Sequence, residues 1–185
     1  MDANEKNYKK NWLKLSLALV LCLLARLLPL RAPNVEPILA TVMPIGRAYG
    51  VFVGFSFAIL SILLYDVVTG TLGIQTFFTA GAYGLLGLWS ARYFKKIKGS
   101  RMDYVRFAVI GTILYDALTG FTVGPIFYHQ PLLGSIAGQI PFTALHLLGN
   151  TAFAFFLSPL IYSFLIRERK NEKMIPIITL APKTI

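Results

Sequence analysis

Two stretches of this chain carry the same set of reactive and polar side chains. LYDVVTG runs from Leu64 to Gly70 and LYDALTG from Leu114 to Gly120, fifty residues apart. The likeness extends upstream: FAILSILLYDVVTG (57–70) and FAVIGTILYDALTG (107–120) are identical at seven of fourteen positions. Each copy puts a Tyr–Asp pair, Tyr65–Asp66 and Tyr115–Asp116, near the end of a long apolar run. A carboxylate at the lip of a membrane helix marks a functional site by default, because lipid cannot solvate it. Repeated segments of this kind occur in transporters, with the binding site where the repeats meet. The competing account is architectural: Asp and Tyr at a helix end sit in the headgroup layer, Tyr as an aromatic anchor. Asp near a helix C-terminus also opposes the macrodipole. Something must compensate it, and Arg26, Arg31, another donor or a ligand are the candidates.

A second set lies in QIPFTALHLLGN (139–150). Gln139, Thr143, His146 and Asn150 are spaced four, three and four residues apart, on one helical face. Unsatisfied polar groups cost several kcal/mol in hydrocarbon. The stripe must therefore face other helices or a wet cavity, through interhelical hydrogen bonds, ligand contacts or both. A third group, Gln75, Thr76, Thr79 and Tyr83, opens the fourth segment. Gly81, Gly84 and Gly87 follow it at spacing three, which reads as helix packing. Tyr65, Asp66, Gln75, Tyr115, Asp116, Gln139, His146 and Asn150 together supply the aromatic surface and the few placed polar groups that a small-molecule pocket needs. Asp116 is the first choice for ligand contact, because the longer connection after it brings Tyr128 and His129 over the pocket. Asp66 is expected to fix the turn before the fourth segment. No metal site is expected, since His146 has no ligand partner at i+4 other than Asn150 and His129 falls in a loop. Gly-x-Ser-x-Gly, HExxH and P-loop patterns are lacking. The chain reads as a non-enzyme with no cofactor, and any ATP-driven role needs separate subunits.

The elements that position these residues follow from composition. The chain has 185 residues, 56% of them hydrophobic and only 14% charged, with mean hydropathy +0.63. Soluble domains carry about 25% charge, so the pattern is that of an all-α integral membrane protein. Residues 1–11 form a polar tail, 12–166 a membrane domain of about six transmembrane helices, and 167–185 a basic tail. The segments expected are Trp12–Leu30, Ile38–Pro44 (too short to cross as a straight helix), Arg47–Val68, Gly73–Phe94, Tyr104–Thr122, and one that ends near Ile166 with Pro141 at the start of its continuous part. The first segment is too long for a cleavable signal peptide and lacks a cleavage site. Cys22 is the sole cysteine, which excludes an internal disulfide. The net charge of +10 reflects topology rather than nucleic acid. Lys and Arg gather in the N-terminal tail, in KKIKGSR (95–101) and in RERKNEK (167–173), whereas the loops after both Asp residues carry none and the 31–37 loop carries Arg31.

With these features the chain resembles the substrate-binding S component of energy-coupling factor (ECF) vitamin transporters, over residues 10–166. The resemblance rests on the basic N-terminus, the six apolar segments, a first segment with small residues, the LYDVVTG and LYDALTG pair, and HLLGNTAFAFFLSPLIY (146–162). It implies a six-span prokaryotic cell-membrane protein that captures a vitamin or micronutrient at its outer face. The loop between the first two helices, here RAPNVEP (31–37), acts as a lid. It also implies docking on a transmembrane T subunit driven by two ATPase subunits, through an Ala-x-x-x-Ala face on the first helix. This chain has Ala18, Cys22 and Ala25 there, so Cys22 stands in place of the second Ala. The alternatives are a stand-alone small-solute or cation carrier, and an integral membrane enzyme with Asp66, Asp116 and His146 as acid–base groups.

The charge asymmetry predicts that both ends of the chain face the cytoplasm. Reporter fusions after Arg101 and at the C-terminus should read cytoplasmic and a fusion near His129 external; a cytoplasmic reading at His129 overturns the orientation.

Overall fold

The computed structural model describes residues 3–29 and 34–173, with side chains over 10–29 and 34–166. Six α-helices account for nearly all of it: α1 Ala3–Leu27, α2 Ile38–Tyr49, α3 Val51–Thr69, α4 Ile74–Lys95, α5 Arg101–Thr122 and α6 Leu132–Lys173. A π-helical turn, Val123–Phe127, extends α5, and there is no strand among the described residues. Three stretches are long and apolar enough to cross a membrane: Val51–Thr69, Arg101–Phe127 and Leu132–Ile166.

α2 is the centre. Its 12 residues span about 18 Å, and Ile38 to Gly46 are all buried. It touches each of the other five α-helices. The chain reverses at Gly50 (φ 94°), so that Gly46 of α2 and Gly54 of α3 come to lie side by side. The two most extensive pairings are then the hairpins α3–α4 and α5–α6. Close approach within the first hairpin depends on glycine: a Cβ on Gly87 would collide with the carbonyl oxygen of Gly54, and one on Gly54 would lie 2.8 Å from that of Gly87. Gly84 packs on Phe55 and Ile59, whereas Gly81 faces open space. Spacing alone did not separate these roles.

Several boundaries differ from those expected. Arg47 belongs to the end of α2, not to the start of the third segment. Its guanidinium donates to the carbonyls of Lys98 (2.5 Å) and Gly99 (3.2 Å) and to the Tyr104 hydroxyl (3.0 Å), and lies over the Tyr162 ring. The Arg47 turn and the basic 95–101 loop therefore share one end of the bundle. α6 begins at Leu132, nine residues before Pro141, and continues through the basic stretch to Lys173. Pro141 removes one helical hydrogen bond without ending the helix, which membrane helices tolerate. Similarly, α1 extends back to Ala3 through residues expected to form a tail.

The two repeat copies also end differently. Gly70 adopts the left-handed conformation (φ 69°, ψ 22°) and closes α3. Gly120 remains helical, and α5 runs on through the π-turn to Phe127. Asp116 is therefore well inside its helix rather than at a lip, and the macrodipole argument applies to Asp66 alone.

Gly87→Leu should force α3 and α4 apart and cost about 1–3 kcal/mol, while Gly81→Ala should be neutral. Thermal unfolding in detergent, read by light scattering, checks the pair; equal melting temperatures for both variants would overturn the close-packing assignment.

Candidate functional site

Five helices converge where α1 ends and α2 begins. Arg26, near the end of α1, is buried and donates through Nε to Glu36 Oε2 at 2.9 Å. Its Nη1 donates to the Ser61 carbonyl at 3.3 Å, and its guanidinium lies 3.7 Å above the centre of the Tyr65 ring. Glu36, one residue before the proline that precedes α2, accepts a second bond from the Tyr83 hydroxyl at 3.1 Å. The Tyr83 ring meets Tyr115 at 4.5 Å. Arginine suits this position because its planar group can bond in its plane and stack through its face. A buried ion pair stays charged only if its remaining hydrogen-bonding capacity is met, and the Ser61 carbonyl and Tyr83 hydroxyl contribute to that. Arg26 thus compensates Glu36. Arg31, the other cation considered, lies outside the described residues.

The stripe on α6 faces α5. Thr112 and Asp116 are one turn apart on α5, as are His146 and Asn150 on α6. Two rungs join them: Asp116 Oδ1 to His146 Nδ1 at 2.7 Å and Asn150 Nδ2 to Thr112 Oγ1 at 2.8 Å. All four residues are buried, Asp116 to 1% and His146 to 3% exposure. Further along, Gln139 packs over Gly120 and donates to Thr143 Oγ1 at 3.3 Å.

Asp66 has a different setting. Its Oδ2 accepts from the Thr76 hydroxyl at 2.6 Å and its Oδ1 from that of Thr71 at 3.4 Å. Thr76 Oγ1 accepts in turn from the Gly73 amide at 3.2 Å. The carboxylate at the C-terminus of α3 is therefore stabilised by the hydroxyls of Thr71 in the turn and Thr76 at the start of α4, and it holds that turn.

Above the N-terminus of α2 lies a cavity of about 600 Å³, within the range of small-molecule sites. Leu27, Leu28 and Pro29 close one side together with Arg26. Asn34 and Glu36 come from the connection to α2, Tyr65 and Thr69 from α3, Tyr115 from α5, and Phe142 and His146 from α6. Of the residues singled out in the sequence, Tyr65, Tyr115 and His146 line this space. Asp116 stands behind His146, and Asn150 one turn deeper. Asp66 caps its turn. Gln75 is half-buried outside the lining, donating to the Thr71 carbonyl and accepting from Tyr128. Gln139 is outside the lining. The connection after Asp116 was expected to bring Tyr128 and His129 over the pocket; neither lines the cavity, which is bounded by α1, α3, α5 and α6.

Asn34 and Glu36 fall in the 31–37 connection that the resemblance gave as a lid, but neither they nor Thr69 and Phe142 were singled out as site residues. Glu36 had a signal: it is the sole acidic residue between Glu5 and Asp66. Thr69 belongs to the repeated LYDVVTG motif without having been singled out in it, and Phe142 had no signal.

A separate apolar groove of about 430 Å³ runs between α1 and α6. Ala18, Cys22 and Ala25 form its floor on the α1 side, opposite Phe153, Leu157 and Ile161. Among the described residues no group of three or more His, Cys, Asp or Glu side chains could hold a metal ion. Fold and site define an all-helical protein, with helices able to cross a membrane, built around an aromatic-walled polar cavity. Comparison with known proteins finds no matching family, no matching curated relative and no matching solved structure.

Arg26→Met leaves Glu36 buried beside Tyr83 alone and should cost about 3–5 kcal/mol. The double variant Arg26→Met/Glu36→Gln should recover a large part of that loss. Chemical denaturation in micelles measures both, and additive losses would contradict the pairing.

Proposed function

We propose that this protein is the substrate-binding membrane subunit of an ECF-type importer, with six membrane-spanning helices in a prokaryotic cell membrane and both ends in the cytoplasm. It captures a small vitamin or micronutrient at its outer face for ATP-driven uptake by a T subunit and two ATPase subunits. One observation carries this reading: the cavity of about 600 Å³ beneath the α1–α2 connection, with Tyr65 and Tyr115, the equivalent tyrosines of the two repeats, in its wall. A site walled by matched positions of an internal repeat is the arrangement that transporters use. The cavity lies at the end of the bundle opposite Arg47 and the 95–101 loop, so the distribution of basic residues supports an outward-facing site.

The docking face is the groove floored by Ala18, Cys22 and Ala25, where small side chains let a partner helix approach closely. Its lining is almost wholly apolar, which suits a helix ridge rather than a polar ligand. The absence of nucleotide-binding motifs in the sequence fits a subunit that relies on separate ATPases.

Mass spectrometry of the purified protein should find a co-purifying small molecule. Uptake should require co-expressed T and ATPase subunits. Ala18→Trp or Cys22→Trp should abolish that uptake while the isolated subunit still retains the molecule. Saturable flux by the lone protein in liposomes would instead mark a carrier, and turnover of the molecule an enzyme. Equal loss of binding and uptake in the Trp variants would refute the docking assignment.

A further inference from the structure

The contact between Asp116 and His146 leaves part of its hydrogen-bonding capacity unused. Three buried atoms around it have no protein partner: Asp116 Oδ2, His146 Nε2 and Asn150 Oδ1. Unpartnered buried polar atoms are uncommon and each costs stability, so each needs a reason. Of the three residues, His146 alone lines the cavity. A carboxylate only accepts hydrogen bonds, so Nδ1 of a neutral imidazole carries the proton and Nε2 keeps a bare lone pair. The two ring nitrogens point to nearly opposite sides. Nε2 is itself enclosed on a residue that lines the cavity, so a ligand reaches it only when a covering side chain moves. The rings of Tyr115 and Phe142 meet the imidazole edge-on at 5.7 and 5.8 Å. Phe142 is the more exposed of the two, so it is the ring that an incoming molecule displaces.

The remaining wall narrows the chemistry. Arg26 and Glu36 face the same space but engage each other, so together they favour neither an anion nor a cation. Tyr65, Tyr115 and Phe142 offer flat apolar faces. We propose that His146 Nε2, held as an acceptor by Asp116, takes the ring N–H of an uncharged planar heteroaromatic ligand that enters by displacing Phe142. This rests on the binding role proposed above and specifies what is bound. Asp116 is a positioning residue: it fixes the tautomer without touching the ligand.

The test uses the full chain in micelles, labelled with ¹⁵N-histidine and carrying His129→Asn so that His146 reports alone. Its ¹⁵N spectrum near neutral pH should show a protonated Nδ1 and an unprotonated Nε2. Benzimidazole and 1-methylbenzimidazole, which differ at the ring N–H, then serve as probes. Benzimidazole should shift the Nε2 resonance and bind about tenfold more tightly. Asp116→Asn can donate to Nδ1, which moves the ring proton to Nε2, and should erase that preference. Phe142→Ala should strengthen binding of both probes and keep the preference. A protonated Nε2 in the starting protein, equal binding of the two probes, or binding of neither overturns the inference, whether or not Asp116→Asn folds. The outcomes for the importer role are distinct. A co-purified molecule with no N–H preference leaves that role standing and removes this inference. An N–H preference with uptake independent of partner subunits does the reverse.

Discussion

A guanidinium and a carboxylate that have left water together hold the upper part of this bundle. Arg26 reaches Glu36, the Ser61 carbonyl and the face of Tyr65, and Glu36 reaches Tyr83. Those contacts join the end of α1 to the entry of α2 and to the middles of α3 and α4. An apolar side chain cannot replace this function, because dispersion is weakly directional while the pair fixes both distance and angle. The fold accepts the desolvation cost of two charges, and in return the end of α1 and the entry of α2 are held in a defined place beside the cavity. The pair also settles the electrical character of that cavity: each charge is answered locally, so the wall is polar without a strong net sign.

The repeat shows how one sequence motif is used in two ways. Both copies deliver a Tyr to the cavity, and both follow it with an Asp that turns away from it. Asp66 meets the hydroxyls of Thr71 and Thr76 across a tight turn, because Gly70 adopts a left-handed conformation and brings α4 back at once. Asp116 meets an imidazole from the next helix, because Gly120 stays helical under Gln139 and α5 continues for another turn and more. The divergence originates after the motif, in TLGIQT against FTVGPIFYHQP. Equivalent carboxylates thus acquire a turn-holding contact in one copy and a tautomer-setting contact in the other.

The all-helical architecture was legible in the sequence because long apolar runs separated by basic or Pro-rich loops permit little else. The α4 boundaries followed from Gly73 and the basic loop, and the α6 stripe followed from polar spacing. Helix starts were less legible: Pro141 reads as a start signal in isolation, but backbone groups freed in a packed helix find other partners. The site was half legible. Tyr65, Tyr115 and His146 stood out as polar or aromatic residues in apolar runs. The placement of Asp116 behind His146 did not, because sequence spacing gives the face of a residue and not its depth. Arg26 and Glu36 are single charges in apolar surroundings, a signal that their partnership explains. Phe142 carries no mark that distinguishes it from thirteen other phenylalanines.

The brevity of α2 has a consequence for how the chain is made. A helix of 12 residues spans about 18 Å, well short of the roughly 30 Å hydrocarbon core of a bilayer, and it turns directly into α3 at Gly50. Its final surroundings include α6, where the Ser158 hydroxyl donates to the Ala40 carbonyl at 2.8 Å. That contact joins residues 118 positions apart, so the last helix must emerge from the ribosome before the second is enclosed. Until then the central helix of the finished molecule lacks one of the five helices that pack on it.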